Sequence, residues 1–267
     1  MSEAHYSWLR IKAIAVRHAF ALKRSPHRLF DITIWPLVDV VTFGSIGVFA
    51  ASQEGSGAVA LGYLLSGIVL WHVVYQAQIA LSIGFLEETW SRNLLNLMVT
   101  PLREIEYVAG VILFGFAKLT AGVGLVAVTA LALYSFDVTE LGIGLVPVFV
   151  ILLVVGWAVA LFVIAMVLRF GAGAEALAWG ILFVLMPLSG AFYPIDALPG
   201  FLHPIAAVLP TTYAFSAGRR LLDGGAIPWD QIGLGAITSI GLMVIVVWYL
   251  LRMLKLFRER GYITRYS

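Results

Sequence analysis

The stretch LGIGLVPVFVILLVVGWAVALFVIAMVL, residues 141–168, carries no charged side chain along its whole length. As a helix rising 1.5 Å per residue it would measure about 42 Å, more than the roughly 30 Å of a hydrocarbon core. In lipid only a structure that satisfies its own backbone is tolerated, so the run predicts a transmembrane helix. Five more apolar segments surround it: Ile32–Ala51, Val59–Phe85, Tyr107–Tyr134, Leu177–Tyr193 and Ile232–Leu254. The one at Leu177–Tyr193 is the shortest. Six spans predict an all-α membrane protein, a single transmembrane domain over residues 1–267. The composition agrees, with 61% hydrophobic and 12% charged residues against about 25% charged in soluble domains, and a mean hydropathy of +0.96. Cysteine is absent, which excludes disulfides, thiolate zinc sites and thiol chemistry. A cleavable signal peptide is not expected, because some thirty residues precede the first apolar run, which then outlasts a signal's short core.

Charge placement orients the spans, since cytoplasmic loops carry the excess of Lys and Arg. The first thirty residues hold Arg10, Lys12, Arg17, Lys23, Arg24 and Arg28, and the other end holds Arg252, Lys255, Arg258, Arg260 and Arg265. The connections 52–58 and 135–140 carry Glu54, Asp137 and Glu140 without a Lys or Arg. Both termini are therefore expected on the cytoplasmic side, which six crossings allow. The arm 1–30 is too charged to span. At 100° per residue Trp8, Ile11, Ala15, Ala19 and Leu22 share one arc, with Arg10, Arg17 and Arg24 opposite. That pattern predicts an amphipathic helix in the plane of the membrane surface, its basic side toward anionic headgroups.

Two segments are more than spans. Residues 87–101 between spans two and three place Trp90, Leu94, Leu97 and Met98 on one helical face, with Glu87 and Glu88 at the positive N-terminal end and Pro101 as a terminator. A short cytoplasmic helix is expected there. Residues 189–228 follow Pro187 and contain Pro194, Pro199, Pro204, Pro210 and Pro228, with apolar pieces Phe201–Leu209 and Tyr213–Leu222 too short to cross. Irregular backbone at membrane depth requires cover by protein or a water-filled cavity, so this segment reads as an outer re-entrant hairpin between spans five and six, over the pathway. Arg219 and Arg220 break the charge rule there and could reach lipid phosphates or an anionic substrate.

At these two segments the chain resembles the membrane-spanning subunits of type 2 ABC exporters, a family that includes exporters of capsular polysaccharide, O-antigen, teichoic acid and drugs. The first motif runs from Glu87, Glu88 and Trp90 through Asn93 and Leu94 to Thr100-Pro101; the second runs from Phe192-Tyr193-Pro194 and Pro199 to Pro210 and Tyr213. The resemblance implies that 87–101 is the coupling helix, with Glu87, Glu88, Trp90, Asn93, Leu94, Leu97, Thr100 and Pro101 facing a separate ABC ATPase. It implies that Phe192, Tyr193, Pro194, Pro199, Pro210 and Tyr213 build an outer gate. It also implies a homodimer, or a heterodimer with a related permease, in contact with lipids of a bacterial cytoplasmic (inner) membrane, exporting an amphipathic lipid, glycolipid, polysaccharide or drug. ATP and magnesium would be bound by the partner, since no G-x-x-x-x-G-K-[ST] loop occurs here; the chain itself is not expected to be an enzyme, and no nucleic acid is expected.

The main rival is an ion-coupled secondary transporter, for which Asp39, His72 and Lys118 would be the intramembrane groups. Residue counts put Asp39 about 10 Å into span one and Lys118 about 17 Å into span three from the same side, so an Asp39–Lys118 ion pair is expected. An intramembrane enzyme finds no H-E-x-x-H or G-x-S-x-G to support it. Gly62 and Ser66 form a small-xxx-small pair suited to close helix approach. Trp35, Trp71, Tyr75, Trp157 and Trp179 are either packing and interface residues or a stacking surface for sugars.

Overall fold

The computed structural model describes residues 3–53, 57–90 and 102–259. It is built of helices, with no strand among the described residues: α1 (Glu3–Lys23), α2 (Pro26–Gln53), α3 (Gly57–Trp90), α4 (Glu104–Tyr134), α5 (Leu145–Phe170), α6 (Leu177–Leu188), α7 (His203–Val208), α8 (Pro210–Leu222) and α9 (Trp229–Glu259). Five segments are long and apolar enough to cross a membrane: Arg28–Ser52, Val59–Glu87, Ile105–Tyr134, Val138–Phe170, which joins the 3-10 stretch Val138–Gly144 to α5, and Trp229–Leu256. The shortest expected span becomes α6, 12 residues including Pro187, or about 18 Å of helix.

Helix α3 is the axis of the bundle. Its Leu65, Ile68, Val73, Val74 and Ala77 are almost fully enclosed, and it packs on α2, α4, α5 and α8. Close approach between α3 and α5 depends on Gly156, where a Cβ would lie 2.6 Å from Ala77 Cβ and 2.7 Å from the Val74 carbonyl oxygen. Gly62, by contrast, faces open space. Close approaches to α3 occur instead at Gly67 and Gly156, among others, and hydrophobic periodicity does not distinguish one glycine from another.

The amphipathic α1 exists, but it is docked lengthwise. Arg10 pairs with Glu106 at 3.2 Å, Ile14 abuts Gly110, and His18 stacks on Phe114 with centroids 5.5 Å apart. A constant offset of 96 between partners means that α1 and α4 run side by side in the same direction. The buried face carries Ile14 and His18, whereas Trp8 of the expected apolar stripe stays 52% exposed, free to meet lipid. Burial, then Arg17 and Arg28, lower the His18 pKa to about 4, so at neutral pH its uncharged ring packs like an aromatic side chain. Arg10, expected to face headgroups, is spent on Glu106, whose carboxylate also accepts the Arg103 backbone N–H at 3.1 Å and so caps α4.

Candidate functional site: a charged and aromatic crevice

One face of α2 carries Arg28, Asp31, Trp35 and Asp39, spaced so that they stack along the helix toward α3. From α3 come Trp71, His72 and Tyr75, from α4 Lys118, and from α6 Trp179 and Phe183. Two cavities of 270 and 330 Å³ meet this set, and both are lined by Asp31 and Trp179. The larger is walled by Trp35, Trp71, Tyr75, Trp179 and Phe183, with Asp31 and Asp39 as its acidic groups. Charge in such a place must be paired or face water.

Asp31 is the hub of the first cavity. It accepts the Tyr75 hydroxyl at 2.8 Å and lies 3.7 Å from Lys118 Nζ, whose side chain is 9% exposed. Asp39 faces His72 Nε2 at 3.6 Å instead. The expected Asp39–Lys118 pair is therefore replaced by Lys118–Asp31, for two physical reasons. Helix α4 starts lower than α2, since its first turns lie beside α1, so counting residues from each helix start misaligned the two charges. A helical lysine stem also points back toward its own N-terminus, here toward the beginning of α2. Asp31 was missed because it falls between the arm 1–30 and the apolar run that begins at Ile32; its i, i+4, i+8 register with Trp35 and Asp39 was the available signal.

Glu87 also departs from expectation. Helix α3 continues through Trp90, so Glu87 and Glu88 lie at the C-terminal end of a long helix, where the dipole disfavours an acid. Arg28 offsets this for Glu87 with a 2.8 Å ion pair that ties the start of α2 to the end of α3. Trp90 is the last residue of α3. Asn93, Leu94, Leu97, Thr100 and Pro101 lie outside the described residues.

The proline-rich segment is tied into the bundle at several levels. Phe192 stacks on Phe43 of α2 with centroids 4.1 Å apart, and the Ala191 carbonyl seats against Gly67 of α3, where a Cβ would come within 2.3 Å of it. Tyr193 donates to the Pro187 carbonyl at 2.9 Å, Tyr213 to the Ala207 carbonyl at 2.8 Å, and Thr212 to the Ala206 carbonyl at 2.7 Å. Pro194 and Pro199 precede short 3-10 turns, and Pro210 opens α8, where a missing N–H costs nothing. Arg219 and Arg220 both bond to protein: Arg219 turns inward and donates to the Gly190 carbonyl, and Arg220 pairs on the surface with Asp230 at 2.9 Å. Both arginines hold the segment together.

Residues 10–222 match the family model described as ABC-2 type transporter. The chain belongs to that family. Similar proteins include the inner membrane transport permease YadH of Escherichia coli K12, 28% identical across 96% of this chain and 98% of that one. The daunorubicin resistance ABC transporter permease protein DrrB1 of Streptomyces coeruleorubidus is 25% identical across 90% of this chain and 83% of its own length. This ABC-2 permease is thus a multi-pass membrane subunit of an ABC transporter, and its family implies partnership with an ABC ATPase subunit. That membership supports the ABC reading over the ion-coupled alternative built on Asp39, His72 and Lys118.

Proposed function

We propose that this permease exports an amphipathic substrate from the cytoplasm or inner leaflet of a bacterial inner membrane, both termini lying on the cytoplasmic side. The observation that carries the reading is the crevice between α2, α3 and α6, apolar and aromatic on its walls and charged at its base, as a molecule with an apolar body and a polar end requires. In this reading two permease copies, or one copy and a related permease, join two ATPases. The segment 87–101 couples the ATPases to the spans, and Arg28–Glu87 carries its motion to α2, at the edge of the crevice. ATP and magnesium belong to the partner.

Coexpression with the cognate ATPase tests the coupling. Trp90→Ala with Leu94→Ala should leave the protein inserted and the complex assembled but abolish substrate-stimulated ATP hydrolysis. Full stimulation in an assembled double variant would refute it.

The segment 189–228, with α8 seated on α3 where Gly218 meets Leu70 and where Asp223, just past α8, accepts the Tyr63 hydroxyl, serves in this proposal as the outer re-entrant gate. Cysteines introduced at Ala197 and Ala207, both exposed in a chain without cysteine of its own, should change their labelling by an impermeant thiol reagent when nucleotide binds. Labelling that is identical in every nucleotide state would leave a static cover in place of a gate.

A further inference from the structure

We infer that the cavity between α2, α3 and α6 binds a protonated amine carried on an aromatic or amphipathic body, with Asp39 as its counter-ion. The inference rests on the exporter reading and names the substrate class that reading leaves open.

The charges in the crevice do not balance. Asp31 is compensated by Lys118 at 3.7 Å and also takes the Tyr75 hydroxyl, and Glu87 is matched by Arg28 at 2.8 Å. Among the described residues the only ion-pair contact of Asp39 is His72 Nε2 at 3.6 Å, beyond hydrogen-bond distance. His72 is 1% exposed and its Nδ1 lies 3.0 Å from the Ile68 carbonyl oxygen. A carbonyl can only accept, so Nδ1 carries hydrogen and the neutral ring presents the Nε2 lone pair to Asp39. Nε2 has no hydrogen-bond partner. Two acceptors thus face one another, and the Asp39 carboxylate, which lines the cavity, lacks a donor.

A cationic N–H group supplies that donor and the missing charge together. It would donate to the Asp39 carboxylate, which lines the cavity, in a charge-assisted bond. The walls suit the rest of such a ligand: Trp35, Trp71, Tyr75 and Trp179 offer ring faces to a cation and apolar area to its body. Trp35 and Trp179 are 44% and 41% exposed, so the cavity opens sideways where an amphipathic molecule could enter.

The probe is dansylcadaverine, a fluorescent primary ammonium, compared with its N-acetylated form, which keeps the dansyl body and loses the charge. Binding is measured by fluorescence titration of the full-length purified chain, with protein-free micelles subtracted. Wild-type protein should prefer the ammonium by about 10-fold or more, Asp39→Asn should remove the preference, and Asp39→Glu should retain it. Equal affinity for the two probes in wild type would overturn the inference and leave Asp39 and His72 sharing a proton. A preference that survives in Asp39→Asn would overturn it too, by placing the amine elsewhere. Should Asp39→Asn fail to purify as a monodisperse species, Trp35→Ala and Trp179→Ala, on the exposed rim, must each weaken ammonium binding several-fold, and unchanged binding in both defeats the proposal. Failure of the exporter reading would appear separately, as a chain that assembles with no ATPase.

Discussion

Lys118→Met should lower the stability of the permease by about 2–3 kcal/mol and impair transport, and adding Asp31→Asn should restore most of the loss. The lysine is 9% exposed and its partner 31%, so the cost should fall below the roughly 3–5 kcal/mol of breaking a fully buried pair. The penalty arises because one charge is left in a poorly hydrated place without its counter-charge. Removing both leaves Tyr75 a neutral amide oxygen to bond. Asp39→Asn, added to Lys118→Met in place of Asp31→Asn, should give no rescue, since Asp39 faces His72 at 3.6 Å. Thermal unfolding of the purified single and double variants measures the coupling directly. Rescue by Asp39→Asn with none by Asp31→Asn would show that α2 and α4 are out of register with the arrangement described here.

Gly156→Leu should destabilise the protein by about 3 kcal/mol, near the upper part of the usual overpacking range, while Gly62→Ala should be close to neutral. The contrast lies in what each new side chain meets. At Gly156 the first added carbon would strike Ala77 Cβ and the Val74 carbonyl oxygen of α3, and helix backbone cannot step aside without separating the two most enclosed helices. At Gly62 there is open space within 4 Å, and alanine restricts the unfolded chain more than glycine does. Melting temperatures of the two variants in the same detergent check this. Equal losses at both sites would mean that α3 and α5 do not approach at Gly156.

How much of this was legible beforehand follows from the kind of signal each feature leaves. The span of α5 was unmistakable because charge cannot hide in 28 uncharged residues, and the break into short helices after Pro187 was readable from prolines, whose effect on helix is local. The docked face of α1 is rotated from the expected stripe: Trp8 and Ala19 are exposed while Ile11, Ala15 and Leu22 are half-buried, and the face against α4 includes Arg10 and His18. A polar residue becomes suitable for burial only when a partner such as Glu106 is brought to it, and that partner is 96 residues away.

Local chemistry along the chain thus determined that this protein lives in lipid, where its long helices begin and end to within several residues, and that the proline-rich stretch after Pro187 departs from a simple span. Those features depend on hydrophobicity, glycine and proline, and charge placement, which act over one or two turns. Tertiary structure alone decided that Lys118 meets Asp31, that Asp39 is left facing a bare imidazole nitrogen, that Glu87 is held by Arg28, and that Gly156 permits the central contact while Gly62 does not. Each of these depends on the axial offset between helices, a quantity fixed by packing many side chains at once, and a shift of a single turn, about 5.4 Å, would exchange every partner.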